Sequence, residues 1–197
     1  MLLGQTKSGK STLLNSLTQQ KDLAHTSSKG FSTRIIHKYL LGSKKAILVD
    51  TPHFDPHPKI SAPFYKSSKL VKKFIEDTSD ILLNLYIINA EVGIRSVDIT
   101  ALQELEYYGR PFQVAVNKID TRNYNNIGAL LIEISSLTKE FRFCHHAIHL
   151  MSALCGNGVI EMSGQLALLI DHWKPLNESK EIEQISTRKI NTSNVYY

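Results

Sequence analysis

One short motif near the start of the chain restricts its fold more than any other feature. The segment Gly4–Ser11 reads G-Q-T-K-S-G-K-S and matches the pattern G-x-x-x-x-G-K-S/T at every fixed position. Glycine lets a backbone wrap its N–H groups around an anion, and a helix that starts at the same point adds the positive end of its dipole. Lys10 would reach the terminal phosphates of a nucleotide, and the Ser11 hydroxyl would bind Mg²⁺. The motif therefore predicts a phosphate loop, and a Gly- and Ser-rich turn that matches by chance is the alternative.

Beyond this motif, short apolar runs alternate with longer helical patterns, which is typical of βαβ units and a parallel sheet. The strand candidates are Met1–Leu3, Arg34–Leu41, Lys45–Asp50, Ile81–Asn89, Phe112–Asn117 and Ala147–Leu150. The helix candidates are Lys10–Gln19, Ser67–Thr78, Arg95–Tyr108, Asn126–Glu140 and Gly158–His172. We expect an α/β fold of the P-loop NTPase kind, with a mostly parallel sheet of about six strands and helices on both faces. This domain would span residues 1–173, followed by a polar C-terminal tail over residues 174–197. Its first strand is reduced to Met1–Leu3, where a central strand normally has about five residues, so we expect either a truncated strand or a sheet that tolerates a short one.

Composition excludes several other classes of protein. The 197 residues include 23 Lys and Arg against 18 Asp and Glu, a net charge of +5, and 42% of them are hydrophobic, which argues against global disorder. No segment approaches the roughly 18 uninterrupted apolar residues of a membrane helix, so no membrane partner is expected. Two cysteines are too few for a disulfide framework. A pI of about 9.1 permits an anionic partner such as nucleic acid without requiring one.

A second motif, Asn117-Lys118-Ile119-Asp120, directly follows an apolar run. The Asp120 carboxylate would accept hydrogen bonds from the N1–H and 2-amino groups of guanine, a pattern that adenine does not offer. Taken alone, N-K-x-D also fits an ordinary turn after a strand, but its place two βα units after a phosphate loop favours guanine. The expected base contacts are Asn117, Lys118 and Asp120, together with Ser152, Ala153 and Leu154, where a backbone N–H would meet the guanine O6.

Asp50 ends another apolar run and begins the sequence Asp-Thr-Pro-His. An Asp at such a strand end holds Mg²⁺ in phosphoryl-transfer sites. Thr33 lies 22 residues after Ser11 and would close over the metal when a γ-phosphate is present; its alternative role is to start a strand. The expected Mg²⁺ ligands are therefore Ser11, Thr33 and Asp50. The expected phosphate contacts are Gly4, Gln5, Thr6, Lys7, Ser8, Gly9, Lys10, Ser11, Thr12, Thr33 and His53.

Together these motifs resemble the EngB (YihA) family of ribosome-biogenesis GTPases, which are related to translation factors. The segment Lys21–Ser28 (K-D-L-A-H-T-S-S) is similar to the family's K-x-L-A-x-T-S, and Leu48–Pro52 (L-V-D-T-P) is similar to its L-V-D-L-P. The resemblance covers residues 1–172. It implies a Mg²⁺-dependent GTP switch, binding GTP and GDP, that assists assembly of the large ribosomal subunit and is linked to cell division and septation.

The same resemblance implies a precursor of the large ribosomal subunit, with its rRNA and ribosomal proteins, as partner. We expect a monomer. The expected location is the cytoplasm, or a mitochondrion or other organelle if an N-terminal presequence is missing from the chain.

Several positions depart from the family pattern. His53 stands where the family has a glycine whose N–H meets the γ-phosphate. Slow or lost switching is the favoured consequence, and an imidazole acting near the γ-phosphate is the alternative. Lys7 stands where an Asn often helps to hold K⁺, so its ammonium either replaces that ion or points into solvent. Phe54 follows His53 where many small GTPases have a water-orienting Gln, but EngB-like proteins commonly lack that Gln, so Phe54 fits the family. No good general base is evident, so we expect slow hydrolysis without a partner.

Three other functions remain open from the sequence alone. They are a nucleotide-binding pseudo-GTPase scaffold, a P-loop ATPase or kinase, and an RNA-binding module with a vestigial nucleotide site. The chain also carries four lysines near one helix start, namely Lys66, Lys69, Lys72 and Lys73. They could meet rRNA phosphates, although a solvated helix face is the favoured interpretation.

Overall fold

The computed structural model describes residues 1–20, 22–24, 35–41, 46–55 and 62–172. Within them the strands are β1 (Leu2–Gly4), β2 (His37–Leu41), β3 (Ala46–Asp50), β4 (Asn84–Asn89), β5 (Phe112–Asn117) and β6 (Cys144–Leu150). The helices are α1 (Lys10–Thr18), α2 (Ala62–Asp77), α3 (Ser96–Tyr107), α4 (Tyr124–Thr138) and α5 (Val159–His172). These strands form one sheet in the order β2-β3-β1-β4-β5-β6, parallel throughout except for β2 against β3. The predicted α/β fold with a mostly parallel six-stranded sheet is confirmed.

Two hydrophobic cores lie on the two faces of the sheet. Along β4, Tyr86 and Ile88 pack into the core that contains residues of α2, α3 and α4. Leu85 and Ile87 pack into the other core, with residues of α1 and α5. Successive side chains of a strand point to opposite faces, so a continuous apolar run such as this one requires helices on both sides of the sheet.

The short strand β1 holds the centre of the sheet. Leu2 pairs with Asp50 of β3 on one side and with Leu85 of β4 on the other, and Gly4 pairs with Ile87. Parallel strands all end at the same edge of a sheet, and α/β proteins bind ligands at that edge. This arrangement therefore brings the predicted phosphate loop beside the ends of β3, β4 and β5.

Helix α2 begins five residues earlier than the predicted Ser67, at Ala62, so the connection that precedes it is shorter than expected. Pro63 falls in the first turn, where helix N–H groups have no intrahelical partner and proline is tolerated. Helix α4 also starts early, because the side chain of Asn123 accepts the N–H of Asn126 and caps the helix.

Two strand starts also differ from the prediction. Strand β4 begins at Asn84, not Ile81, because its partner β5 begins only at Phe112, after a proline that has no N–H to donate. Strand β6 begins at Cys144, not Ala147, and pairs there with Phe112. The predicted starts of β2 and β3, Arg34 and Lys45, lie outside the described residues. Among the described helices, none is long and apolar enough to cross a membrane.

Candidate nucleotide site

The loop between β1 and α1 adopts a backbone that only glycine fits at two points. Gly4 and Gly9 have φ angles of +137° and +95°. A Cβ on Gly4 would lie 2.5 Å from the carbonyl oxygen of Ile87, and one on Gly9 would lie 2.2 Å from the amide nitrogen of Asn117. Both glycines are therefore needed so that the loop can turn tightly and approach its neighbours.

Lys10 points its ammonium group into this loop. Its Nζ donates to the carbonyl oxygens of Gly4 and Gln5, each at 2.9 Å. The residue is only 8% exposed, and burial lowers the pKa of Lys10 to about 8 while the charge of Asp50 opposes that shift. A phosphate oxygen would be a stronger partner for this cation than two neutral carbonyls, so the loop holds a cation prepared for an anionic ligand.

Ser11 and Asp50 form the part of the site that could hold a metal ion. The Ser11 hydroxyl donates to Asp50 Oδ2 at 2.8 Å. The other carboxylate oxygen, Oδ1, is buried and has no hydrogen-bond partner among the described residues. Burial raises the pKa of Asp50, while the hydrogen bond from Ser11 and the charge of Lys10 oppose that shift. A cation at Oδ1 would further stabilise the ionised carboxylate. Carboxylate and hydroxyl oxygens suit Mg²⁺. The third predicted ligand, Thr33, lies outside the described residues.

His53 contacts the phosphate loop directly. The backbone N–H of Thr6 donates to His53 Nδ1 at 3.0 Å, and the Thr6 hydroxyl lies 3.1 Å from the same nitrogen. The next residue, Phe54, is fully buried in the hydrophobic core. Its ring therefore cannot orient a water molecule. Lys7, in contrast, is exposed and has a left-handed backbone with a φ of +65°.

Asn117 joins the phosphate loop to the N-K-x-D segment. Its amide nitrogen donates to the carbonyl oxygen of Ser8 at 2.9 Å, and its Oδ1 accepts the N–H of Ala153 at 2.9 Å. The residue is 1% exposed. One side chain thus connects the phosphate loop, the N-K-x-D segment and the loop after β6. The first two of these are more than a hundred residues apart in the sequence.

The remaining predicted base contacts surround Asn117. Lys118 has a left-handed backbone, and Asp120 lies exposed in the 3-10 turn Ile119–Thr121 that follows β5. Ser152 is buried and its hydroxyl accepts the N–H of Cys155 at 3.2 Å. Leu154 is 82% exposed. The N–H of Ala153 already donates to Asn117. The contact of a backbone N–H in residues 152–154 with the guanine O6 therefore stays a prediction.

A buried polar chain behind the phosphate loop was not predicted. Gln5 Nε2 donates to the Phe54 carbonyl oxygen at 3.1 Å and to the Tyr86 hydroxyl at 3.4 Å. That hydroxyl donates to Asp98 Oδ1 at 2.9 Å, and Asp98 Oδ2 accepts the N–H of Arg95 at 2.9 Å. Two signals were available in the sequence: a tyrosine in an otherwise apolar strand, and an Asp at the third position of a helix, where it caps the first turn.

A cavity of about 580 Å³ opens beside the same loop. It lies between the phosphate loop and the segment that connects β4 to α3. Lys7 and Lys118 line it together with Asn89, Glu91 and Arg95, so its walls carry charges of both signs.

These features define a P-loop GTPase domain: a phosphate loop between β1 and α1, an acidic strand end beside it, and an N-K-x-D corner bonded to the loop. A family model described as 50S ribosome-binding GTPase matches residues 1–118, and the chain belongs to that family.

Its curated relatives are EngB proteins. The probable GTP-binding protein EngB of Chlorobium phaeobacteroides is 29% identical over 168 residues, covering 85% of this chain and 85% of that protein. The protein of the same name from Aquifex aeolicus is 29% identical over 167 residues, 84% of this chain and 87% of the relative. The predicted resemblance to the EngB family is confirmed.

The fold is also that of Era. Era of Aquifex aeolicus bound to GDP and AlF₄⁻ is 26% identical with a TM-score of 0.69. Era in complex with MgGDPNP and nucleotides 1506–1542 of 16S ribosomal RNA is 26% identical with a TM-score of 0.72. Each match covers 89% of this chain but only 57% of the Era chain. The comparisons confirm the prediction of a GTP-binding, ribosome-related GTPase and do not favour the pseudo-GTPase, ATPase or kinase interpretations.

Proposed function

We propose that this protein binds GTP and GDP together with Mg²⁺ and hydrolyses GTP slowly on its own. The observation that carries the proposal is the contact of Asn117 with the carbonyl oxygen of Ser8. It holds a phosphate-binding loop and a guanine-reading segment at a fixed separation, as one nucleotide would require.

Each group of residues has its own part in this proposal. Lys10 and the loop N–H groups hold the phosphates, and Lys118 and Asp120 select the base. Ser11 and Asp50, with Thr33, would hold Mg²⁺, which neutralises charge on the β- and γ-phosphates when bound. The exposed carboxylate of Asp120 can pair with the two donors of guanine but not with adenine.

We expect slow hydrolysis because of the residue that follows His53. The residue after His53 is Phe54, whose ring is buried in the hydrophobic core and cannot position water as an amide would. Positioning of the attacking water is a large part of catalysis in this class of reaction. A protein or RNA partner would therefore complete the site.

Calorimetric titration with GTP, GDP and ATP, with and without Mg²⁺, tests the proposal. We expect binding of GTP and GDP and no measurable binding of ATP. We also expect GTP to bind more strongly with Mg²⁺ than without it. Asp120→Ala should weaken binding of GDP by roughly a hundredfold to ten-thousandfold, the effect of losing two hydrogen bonds to a charged group. Asp80→Ala, which removes an exposed carboxylate beyond α2, is the control. Equal binding of ATP and GTP, or an unchanged affinity in Asp120→Ala, would contradict guanine recognition.

The large-subunit precursor is the partner that we propose. The family description names a 50S ribosome-binding GTPase. The Era structure contains 16S ribosomal RNA, which supports ribosomal RNA as a partner but not the large subunit in particular. Helix α2 offers a matching surface. Lys66, Lys69 and Lys73 are exposed and recur at positions i, i+3 and i+7, on one face of the helix. Lys72 instead pairs with Glu104 at 2.8 Å. Three exposed ammonium groups along one face of the helix fit an RNA phosphate backbone.

Two charge reversals test this surface. Lys69→Glu should weaken binding to purified large-subunit particles, and the loss should shrink as salt rises, because phosphate contacts release counterions. Lys139→Glu reverses an exposed lysine at the end of α4 and should bind nearly as the wild type does. Equal losses in both variants would contradict a specific role for α2. The link to septation, the monomeric state and the compartment stay predictions.

A further inference from the structure

The imidazole of His53 accepts a hydrogen bond from a backbone N–H of the phosphate loop. Its Nδ1 accepts the N–H of Thr6 at 3.0 Å and lies 3.1 Å from the Thr6 hydroxyl. The side chain is only 12% exposed, so water competes little for this contact. Both partners are protein groups, and the contact therefore does not depend on a γ-phosphate.

The protonation state of the ring favours this contact. Nδ1 accepts a hydrogen bond only when it carries no proton. Burial and the positive charge of Lys10 lower the pKa of His53 to about 4, so the ring is neutral near pH 7. Its other nitrogen, Nε2, lies 3.7 Å from Asp55 Oδ2. That carboxylate favours the tautomer whose proton is on Nε2, which leaves Nδ1 as the acceptor.

The backbone around His53 is bound to the same loop. The N–H of Phe54 approaches the carbonyl oxygen of Gly4 at 3.4 Å, and Gln5 Nε2 donates to the Phe54 carbonyl oxygen at 3.1 Å. Residues 53 and 54 are thus docked on the loop by four contacts that involve only protein groups. A phosphate oxygen that approached Thr6 would have to displace the imidazole, because a backbone N–H has one proton to donate.

We propose that His53 determines the nucleotide preference of this GTPase: its imidazole takes the place of a terminal phosphate oxygen at the Thr6 N–H. The segment 51–55 then docks on the phosphate loop with either nucleotide, and GTP gains little over GDP from this contact. The proposal rests on the guanine-nucleotide binding proposed above. It also predicts that the residue acts through an acceptor atom and not through its bulk.

Dissociation constants for GDP and a non-hydrolysable GTP analogue, measured with Mg²⁺, test the proposal in four proteins. His53→Ala removes the acceptor, and the preference for the GTP analogue over GDP should rise about threefold to tenfold, the effect of one ordinary net hydrogen bond. His53→Asn keeps an acceptor oxygen near the position of Nδ1 and should stay close to the wild-type ratio. His146→Ala removes an exposed histidine of β6 and should leave the ratio unchanged.

Amide hydrogen exchange at Thr6 gives a second readout in the same proteins. Exchange should be faster in His53→Ala than in the wild type and in His53→Asn. The proposal is overturned if His53→Ala leaves the ratio unchanged, if it weakens both nucleotides equally, or if His53→Asn behaves like the alanine variant. A wild type that binds neither nucleotide would instead refute the guanine-nucleotide function itself.

Discussion

Lys7 combines an exposed side chain with a left-handed backbone, a conformation that Asn tolerates better than Lys. If its ammonium supplies the charge that K⁺ provides in related GTPases, hydrolysis by the wild type should proceed at the same rate in KCl and NaCl. Lys7→Asn replaces the cation with an amide oxygen and should be faster in KCl than in NaCl, with no penalty in folding. Single-turnover rates in the two salts decide the matter, and strong K⁺ activation of the wild type would rule the idea out.

His53 also makes a prediction about stability and pH. Its pKa is about 4 in the folded protein, against an ordinary 6.5, so the unfolded chain binds more protons between these values. The stability that the neutral ring contributes is present above pH 6.5 and is lost as the pH falls towards 4. Lys10 and Arg95 disfavour the charged ring, whereas Asp55 favours it.

We expect this one residue to lower the free energy of unfolding by about 2 kcal/mol between pH 7 and pH 5. Urea unfolding of the wild type and of His53→Asn at both pH values measures the difference. An Asn variant that loses as much stability as the wild type over this range would show that the histidine is not responsible.

At the scale of elements, the chain of Gln5, Tyr86 and Asp98 connects the phosphate loop, β4 and α3. Tyr86→Phe removes the hydroxyl and leaves Asp98 Oδ1 buried without its 2.9 Å donor. The cost should be about 1 to 3 kcal/mol of unfolding free energy, that of an unsatisfied buried acceptor. Tyr124→Phe, at a position 93% exposed, should change stability by less than about 0.5 kcal/mol. Similar losses of unfolding free energy in both variants, measured by urea unfolding, would mean that the hydrogen bond between Tyr86 and Asp98 does not contribute to stability.

The types of the elements were predictable from the sequence, and several of their starts were not. Apolar runs such as that of β4 are buried on both faces and signal a parallel strand without reference to any partner. The starts of β4 and β6 depend on pairing with β5. The carboxylate of Glu106 accepts the N–H groups of Arg142 and Phe143 and so fixes the approach to β6. Such contacts link distant parts of the chain, and local patterns do not contain them.

At the scale of the whole molecule, the sequence predicted the phosphate loop and the N-K-x-D segment, but it did not predict the contacts that join them. The phosphate loop and the N-K-x-D segment are recognisable because each depends on residue types at fixed local spacing. That Asn117 bonds to both Ser8 and Ala153 follows only from the order β1-β4-β5-β6 of the sheet. The docking of His53 on Thr6 likewise needed the fold, because the residues are 47 positions apart.

This distinction separates two variants that the sequence motif alone would treat as equivalent. Asp120→Ala removes an exposed carboxylate, so it should weaken GDP binding and leave the free energy of unfolding within about 0.5 kcal/mol of the wild type. Asn117→Ala leaves the Ser8 carbonyl and the Ala153 N–H buried without partners, so it should cost about 2 to 4 kcal/mol of stability in addition to affinity. Urea unfolding without nucleotide, paired with GDP titration, measures both effects. If Asn117→Ala lost affinity at unchanged stability, Asn117 would serve as a base contact alone, and the two corners of the site would be held together by something else.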